Sequence, residues 1–414
     1  MGLLKPYGRH RRPDGTVDVN RGIGDIDVAG RRLVMRADLN VPTEGGRVTD
    51  ATRITRFAEG MRPLLARGAA LVILSHFGRP KGRPDPSMSL APLVPDLSRA
   101  LGTPVAFAPL DTAERAARDL APGAALLVEN LRFDPGEEAN DPALARRLAA
   151  LGDIYVNDAF SCAHRAHAST EAIAHLMPAV AGPLMAGELA ALDRALGAPA
   201  RPSVAIVGGS KVSTKIAVLR NLVGKVDHLI VGGGMANTFL YAAGAPMGRS
   251  LHEADQIDTV RAIRARAAGS GCTIHLPADV VTARAFRAGA ATETVAADAC
   301  PDDAMILDAG PAAVAAFAKV LGAARTILWN GPLGAFEIPP FDAATVALAR
   351  IAAGQTAAGA CVSVAGGGDT VAALNAAGVA DRFTYVSTAG GAFLEWLEGR
   401  DLPGVAALSL HEKV

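Results

Sequence analysis

Short runs of apolar residues recur along the chain, separated by longer stretches in which apolar and polar positions alternate at helical spacing. In the first half the runs fall at residues 33–37, 70–74, 105–107, 125–129 and 154–157, with helical patterns at 50–67, 90–101 and 141–151. A second series has runs at 204–207, 228–231, 273–275, 326–329, 361–364 and 384–386, and helical patterns at 212–223, 255–268, 311–321, 342–353 and 370–377. Continuous apolar runs between amphipathic helices predict buried parallel strands covered on both faces. The expected fold class is α/β, with two doubly wound, Rossmann-like parallel-sheet domains. Between the series lies an Ala/Leu-rich stretch, 188–196, followed by Gly197 and Pro199. Glycine just past a helix and proline beyond it are a stop signal. The stretch reads as a hinge helix over 188–197, between a domain at 21–187 and a domain at 198–399. Residues 1–20 carry many charges and no periodicity, and read as an N-terminal extension.

Composition narrows the class. The 414 residues carry 41 basic and 41 acidic side chains, with 50% hydrophobic and 20% charged residues. That balance excludes a disordered chain and offers no basic stripe for nucleic acid. Cys162, Cys272, Cys300 and Cys361 show no CxxC spacing and read as reduced thiols. No apolar run approaches the roughly 18 residues of a membrane span, and the polar, Arg-rich start is no secretory leader. A cytoplasmic protein without a membrane partner is expected.

In open parallel sheets, ligands bind beyond the carboxyl ends of the strands. After the first run come Asp38, Asn40 and Pro42, with Arg53 on the next helical pattern; after the second, Ser75, His76, Gly78 and Arg79. The fourth is followed by Glu129, Asn130 and Arg132, the fifth by Asn157, Asp158, His164, Arg165 and His167. One such arginine is ordinarily a solvated surface charge. Four at equivalent strand ends describe a pocket for a small, multiply charged anion, because guanidinium forks bind phosphate and carboxylate bidentately. Cys162, His164 and His167 also admit a metal reading, but the second ligand pair of a structural zinc site is missing.

The second series ends its strands in glycine. Gly208, Gly209, Ser210 and Lys211 follow one run, and Lys215 is expected one turn further on, on the helix over 212–223. Both ammonium groups could then face one anion. Gly232, Gly233, Gly234 and Asn237 follow the next run; Asn330, Gly331, Pro332 and, downstream, Glu337 follow Trp329. Gly366, Gly367, Gly368, Asp369 and Thr370 form a turn whose carboxylate suits Mg²⁺ on a nucleotide. Ser387, Thr388, Gly390 and Gly391 precede a last helix. No Walker A sequence and no complete Gly-x-Gly-x-x-Gly is present. One glycine turn is often only a tight connection; several, with paired lysines and an aspartate, favour a nucleoside di- or triphosphate.

The stretches RADLNVP (36–42), SHFGRP (75–80), ENLRFDPGEE (129–138) and YVNDAFSCAHRAHAS (155–169) resemble phosphoglycerate kinases. So do GGSKVSTKI (208–216), GGGMANTFL (232–240), WNGPLGAFE (329–337) and GGGDT (366–370), all in that family's order. The resemblance implies a two-lobed hinge enzyme that acts as a monomer. Its N-terminal lobe would bind 3-phosphoglycerate or 1,3-bisphosphoglycerate, and its C-terminal lobe ADP or ATP with Mg²⁺. Direct in-line phosphoryl transfer would follow closure of the lobes, in a glycolytic or a carbon-fixing direction. Residues 400–414 would pack back on the first lobe.

Carried over by motif, Asp38, Asn40, Arg53, His76, Arg79, Arg132 and Arg165 resemble the triose site, Arg53 as the catalytic arginine. Gly209, Lys211, Lys215, Gly233, Asn330, Pro332, Glu337, Gly367, Gly368, Asp369 and Thr370 resemble the nucleotide site, with Asp369 as the ligand of the nucleotide's metal. Lys215, Gly390 and Gly391 would attend the moving phosphoryl group. Ala389 stands where the family often has glycine, Thr214 replaces a frequent Asp, and Gly187 a frequent Lys. The rival readings are a nicotinamide-dependent oxidoreductase and a non-catalytic nucleotide-binding paralogue.

Overall fold

The computed structural model describes residues 23–408. The expected extension at 1–20, and the part of 400–414 beyond residue 408, lie outside the described residues. The chain divides into two compact units: one ends at Ala190 and is rejoined by the chain from Asp401, the other is Ala191–Arg400.

In the first unit β1 (Arg32–Arg36) is followed by a short hairpin, β2 (Thr43–Glu44) and β3 (Arg47–Val48). Then come β4 (Ala70–Leu74), β5 (Val105–Ala108), β6 (Ala125–Val128), β7 (Ile154–Asn157) and β8 (Ala179–Ala181). Apart from the hairpin they form one parallel sheet in the order β5-β6-β4-β1-β7-β8. Alternation across the pleat explains why β1 is apolar throughout its centre. Leu33 and Met35 pack with Ile54 and Phe57 of the helix Thr52–Ala66, while Val34 packs on the opposite side with Leu148 and Tyr155. Each such fully buried side chain contributes about 1.5–3 kcal/mol. The returning chain is tied here: Gly404 N–H donates to Ala163 O at 2.8 Å, and Asn157 Nδ2 donates to Gly404 O at 3.3 Å.

The second unit holds β9 (Ser203–Val207), β10 (His228–Val231), β11 (Thr273–His275), β12 (Asp279–Ala283), β13 (Thr292–Ala296), β14 (Met305–Ala309), β15 (Thr326–Asn330), β16 (Val362–Gly366) and β17 (Tyr385–Ser387). The order β11-β10-β9-β15-β16-β17 makes a second parallel sheet, and β13-β12-β14 a small antiparallel one. Every apolar run read from the sequence is a strand of a parallel sheet. Among the described residues no helix is long and apolar enough to cross a membrane.

Two expected elements are corrected. The helix read at 188–197 begins at Pro183, runs to Leu192 and widens into a π-helical turn over Asp193–Gly197. Its start is set by a residue far upstream: Asp158 Oδ1 accepts the N–H groups of Leu184 at 2.7 Å and Met185 at 3.3 Å. The helix read at 212–223 is only Ile216–Leu222. Side chains hold the preceding residues in a loop, with Thr214 Oγ1 on the Lys211 carbonyl at 2.8 Å and Ser213 N and Oγ on the Glu253 carboxylate.

Candidate functional site

At the carboxyl ends of β1, β4, β6 and β7 the first unit assembles a network of side chains. Asp38 follows β1 and holds Arg53, from the helix Thr52–Ala66, by an ion pair of 2.8 Å. The same Arg53 Nη1 donates to Asn40 O at 3.0 Å. Asn40 Oδ1 accepts Gly78 N–H at 3.0 Å, and Arg132 Nη1 donates to Gly78 O at 2.8 Å, so the loop after β4 is held from both sides. Arg132 is buried, with its Nε 3.3 Å from Glu138 Oε1 but not aligned as a hydrogen bond. Burial lowers the Arg132 pKa, opposed by Glu138.

His76 and His167 are neutral near pH 7. Burial, then Arg36 and Arg132, push the His76 pKa down to about 2. Arg36 Nη2 lies 3.1 Å from His76 Nδ1. Arg has no acceptor, so Nδ1 accepts and the ring proton sits on Nε2, a donor for an anion's oxygen. Burial, with Arg132, Arg36 and Arg165, likewise lowers His167 to about 4. Arg132 acts on both rings, Arg53 on His76 and Arg165 on His167, so each lies within electrostatic reach of a histidine of the network. Arg165 is exposed, its Nε 3.2 Å from His164 Nε2. Arg79 is exposed next to Gly78, and no hydrogen bond or ion pair among the described residues ties it to the others.

Donor atoms of Asp38, His76 and Cys162 lie within 4.8 Å of one another. Asp38 is already engaged by Arg53, and His76 Nδ1 by Arg36, so guanidinium groups occupy the donors a cation would need. Sequence reasoning assigned no role to Arg36 or Ser161. Arg36, fully buried in β1, donates to Ser169 Oγ at 2.8 Å, and Ser169 donates to the buried Glu137 at 2.5 Å. Ser161 donates to Asp38 Oδ2 at 2.5 Å. A charged residue ending an apolar strand is the one signal that pointed to Arg36; nothing marked Ser161.

The second unit builds its strand ends from backbone. Gly208 N–H donates to Asn330 O at 3.1 Å, Gly233 N–H to Leu333 O at 2.8 Å, and Gly331 N–H to Thr370 Oγ1 at 2.7 Å. Asn330 Nδ2 donates to Gly366 O at 2.8 Å, while its Oδ1 is buried without a partner. The turns touch so closely that a Cβ on Gly208 would sit 1.7 Å from the Pro332 carbonyl oxygen, and one on Gly331 2.1 Å from that of Gly208. Gly209, Gly233 and Gly367 adopt φ of +141°, +64° and +97°, a region that favours glycine.

Lys215 is the cap residue of its helix, and its Nζ donates to the carbonyls of Gly208 at 2.7 Å and Asn330 at 3.0 Å. Burial lowers its pKa to about 8, with Asp369 opposing. Lys211 is exposed in the loop rather than one helical turn away, which corrects the expected pairing. Asp369 is exposed on the first turn of the helix Gly368–Ala376, within the field of Lys215. Gly390 and Gly391 open the helix Gly390–Leu397, where first-turn amides lack intrahelical partners. Ala389 has an ordinary φ of −94°, so the extra methyl is tolerated, but its N–H is spent on Ser387 Oγ at 3.2 Å. Glu337 is exposed, and no hydrogen bond or ion pair among the described residues links it to the glycine turns.

One unit presenting arginines and another presenting glycine turns with a lysine and a carboxylate define the class of nucleotide-dependent phosphotransferases. The chain belongs to the phosphoglycerate kinase family, whose family model matches residues 23–400. The phosphoglycerate kinase of Cereibacter sphaeroides (strain ATCC 17025 / ATH 2.4.3) is 60% identical over 392 residues, 94% of this chain and 99% of that protein. That of Methylorubrum extorquens is 60% identical over 382 residues, 92% of this chain and 96% of that protein. Among solved structures, phosphoglycerate kinase from Coxiella burnetii superposes with a TM-score of 0.89 at 43% identity, covering 94% of this chain and 98% of that one. The enzyme from Pyrococcus horikoshii OT3 gives 0.76 at 27% identity, over 94% and 98%.

Proposed function

We propose that the chain catalyses reversible phosphoryl transfer between 1,3-bisphosphoglycerate and ADP, giving 3-phosphoglycerate and ATP. The observation that carries this reading is the pair of sets on a family member: arginines with neutral histidine donors on one unit, and backbone turns with a half-buried lysine on the other. One chain carries both, so a monomer suffices.

In the ATP-consuming direction the nucleophile is the carboxylate of 3-phosphoglycerate, already ionised near pH 7. No general base is needed, and alignment with charge neutralisation does the work. Arg132, Arg165 and Arg79 suit the phosphate of the triose, with His76 Nε2–H as a neutral donor. Arg53 binds Asp38 and Asn40 through Nη1 alone, which leaves its other nitrogens for the transferred group. The nucleotide's phosphates would lie over Gly209, Gly233 and the Gly367–Gly368 turn, near Lys211. Asn330, Pro332 and Thr370 hold that floor together, and Glu337 lies toward the nucleoside side. Mg²⁺ arrives with the nucleotide as part of the substrate, and Asp369 is the carboxylate suited to meet it. Lys215, parked on two carbonyls, exchanges them for phosphoryl oxygens, and the Gly390 and Gly391 amides supply further donors. Transfer follows closure of the two units, which also shields the acyl phosphate from water.

The test is a coupled assay with ATP, Mg²⁺ and 3-phosphoglycerate, read through glyceraldehyde-3-phosphate dehydrogenase and NADH. Turnover is expected, and Arg53→Ala should lower kcat about a thousandfold with a smaller change in nucleotide KM. Wild-type turnover by that variant removes Arg53 from the reaction; nucleotide binding without turnover by the parent chain favours the non-catalytic paralogue.

A further inference from the structure

We infer that Ser161 is a positioning residue for the transferred phosphoryl group, acting through Asp38 on Arg53; this rests on the reading of Arg53 given above. Ser161 lies half-buried in the short turn Phe160–Cys162 after β7, and its hydroxyl donates to Asp38 Oδ2 at 2.5 Å. Arg53 Nη1 reaches that same oxygen at 2.8 Å, and the other carboxylate oxygen takes Asn40 N–H at 3.2 Å. Both carboxylate oxygens are therefore spoken for, by donors from three separate stretches of chain.

The shared oxygen sets a competition. Asp38 orients Arg53, yet a carboxylate that gripped the guanidinium bidentately would withdraw its charge from the phosphoryl oxygens. Ser161 and Arg53 Nη1 together fill both acceptor sites of Oδ2, and Asn40 N–H takes one of the two on Oδ1. The carboxylate is thereby fixed in orientation, and Arg53 meets Asp38 through Nη1 alone, oriented but not captured. Among the described residues the Ser161 hydroxyl is hydrogen-bonded to Asp38 and lies 3.8 Å from Cys162 Sγ, with no hydrogen bond to an arginine. Its loss should therefore spare acceptor binding by Arg132, Arg165 and His76 and fall on the chemical step.

The experiment compares Ser161→Ala, Ser161→Gly and Ser161→Thr, in the native chain and in an Arg53→Lys background, with KM for 3-phosphoglycerate and kcat measured separately. Loss of a hydrogen bond to a charged group corresponds to about a tenfold fall in kcat for the Ala and Gly variants. KM should stay within about twofold, and Thr, which keeps the hydroxyl, should restore most of the rate. In the Arg53→Lys background the Ala change should cost nothing further, because residues acting as a unit are not additive. Undiminished kcat in Ser161→Ala, a rise in KM alone, or losses that multiply with Arg53→Lys would each overturn the inference. If Arg53→Lys itself keeps full turnover, the reading of Arg53 fails first, and Ser161 falls with it. Since Ala and Gly both remove the hydroxyl, a folding defect in one leaves the other to decide.

Discussion

The two strand-end regions solve similar electrostatic tasks with different materials. The first unit uses long side chains that pin one another: Asp38 holds Arg53, Arg36 holds His76, and Asn40 and Arg132 hold the Gly78 loop from opposite sides. The second uses carbonyls and amides packed so tightly at Gly208, Gly232, Gly234 and Gly331 that there is no room for Cβ atoms, with the half-buried Lys215 bonded to two of the carbonyls. Side-chain networks fail by losing a partner, backbone nests by gaining an atom. Substitution should therefore harm the two regions in opposite ways.

The sharpest way to break that contrast is Gly208→Ala. The added methyl meets the Pro332 carbonyl at 1.7 Å, and backbone on both sides must move. We expect a loss on the order of 4 kcal/mol or more, with nucleotide binding abolished. A thermal melt and ATP titration within error of the parent would show that the turns are not interlocked as described. Truncating Arg53 comes next, with kcat lost and the fold kept.

Lys215 supplies the third test. Its pKa is lowered to about 8, so the charged form dominates below that pH and is lost as pH rises through it. kcat/KM should fall on the alkaline side with a step near pH 8, and the kcat limb should lie higher, because a bound phosphate favours the charged lysine. The neutral His76 adds no step between pH 6 and 8. A profile flat to pH 10 would detach turnover from the Lys215 charge. Asp369→Ala should raise the KM for Mg-nucleotide about tenfold with little effect on 3-phosphoglycerate; equal losses for both substrates would count against its place at the metal. The smallest effect belongs to Gly187→Ala. That residue is exposed in mid-helix, and a Cβ there would meet nothing within 4 Å, so stability should rise by about 0.5–1 kcal/mol. A fall in Tm would mean that glycine there does more than fill a place.

The same contrast governs what could be read from the sequence. Buried parallel strands announce themselves as apolar runs, and those of both large sheets except β8 were legible with ends shifted by a residue or two. β13 was not, because Thr292–Ala296 is largely exposed and carries no apolar run; its partners β12 and β14 were lost with it. β8 has only three residues. The start of the helix at Ile216 was misread because apolar spacing says nothing of Ser213 and Thr214 bonding to Glu253 and Lys211. Charged residues after strands were easy to nominate. Their partners were not, since Ser161 and Asp38 stand far apart in the chain and only the folded sheet brings them together.

The tie between Gly404 and the neighbourhood of β7 has a consequence for how the protein is made. A ribosome delivers all of Ala191–Arg400 before it delivers the residues that complete the other unit. The unit begun first is therefore finished last, and until Gly404 arrives the buried Asn157 amide and the Ala163 carbonyl must wait without their partners. The later-made unit, contiguous in sequence, has everything it needs as soon as it emerges. In vectorial synthesis the order of completion runs opposite to the order of the chain.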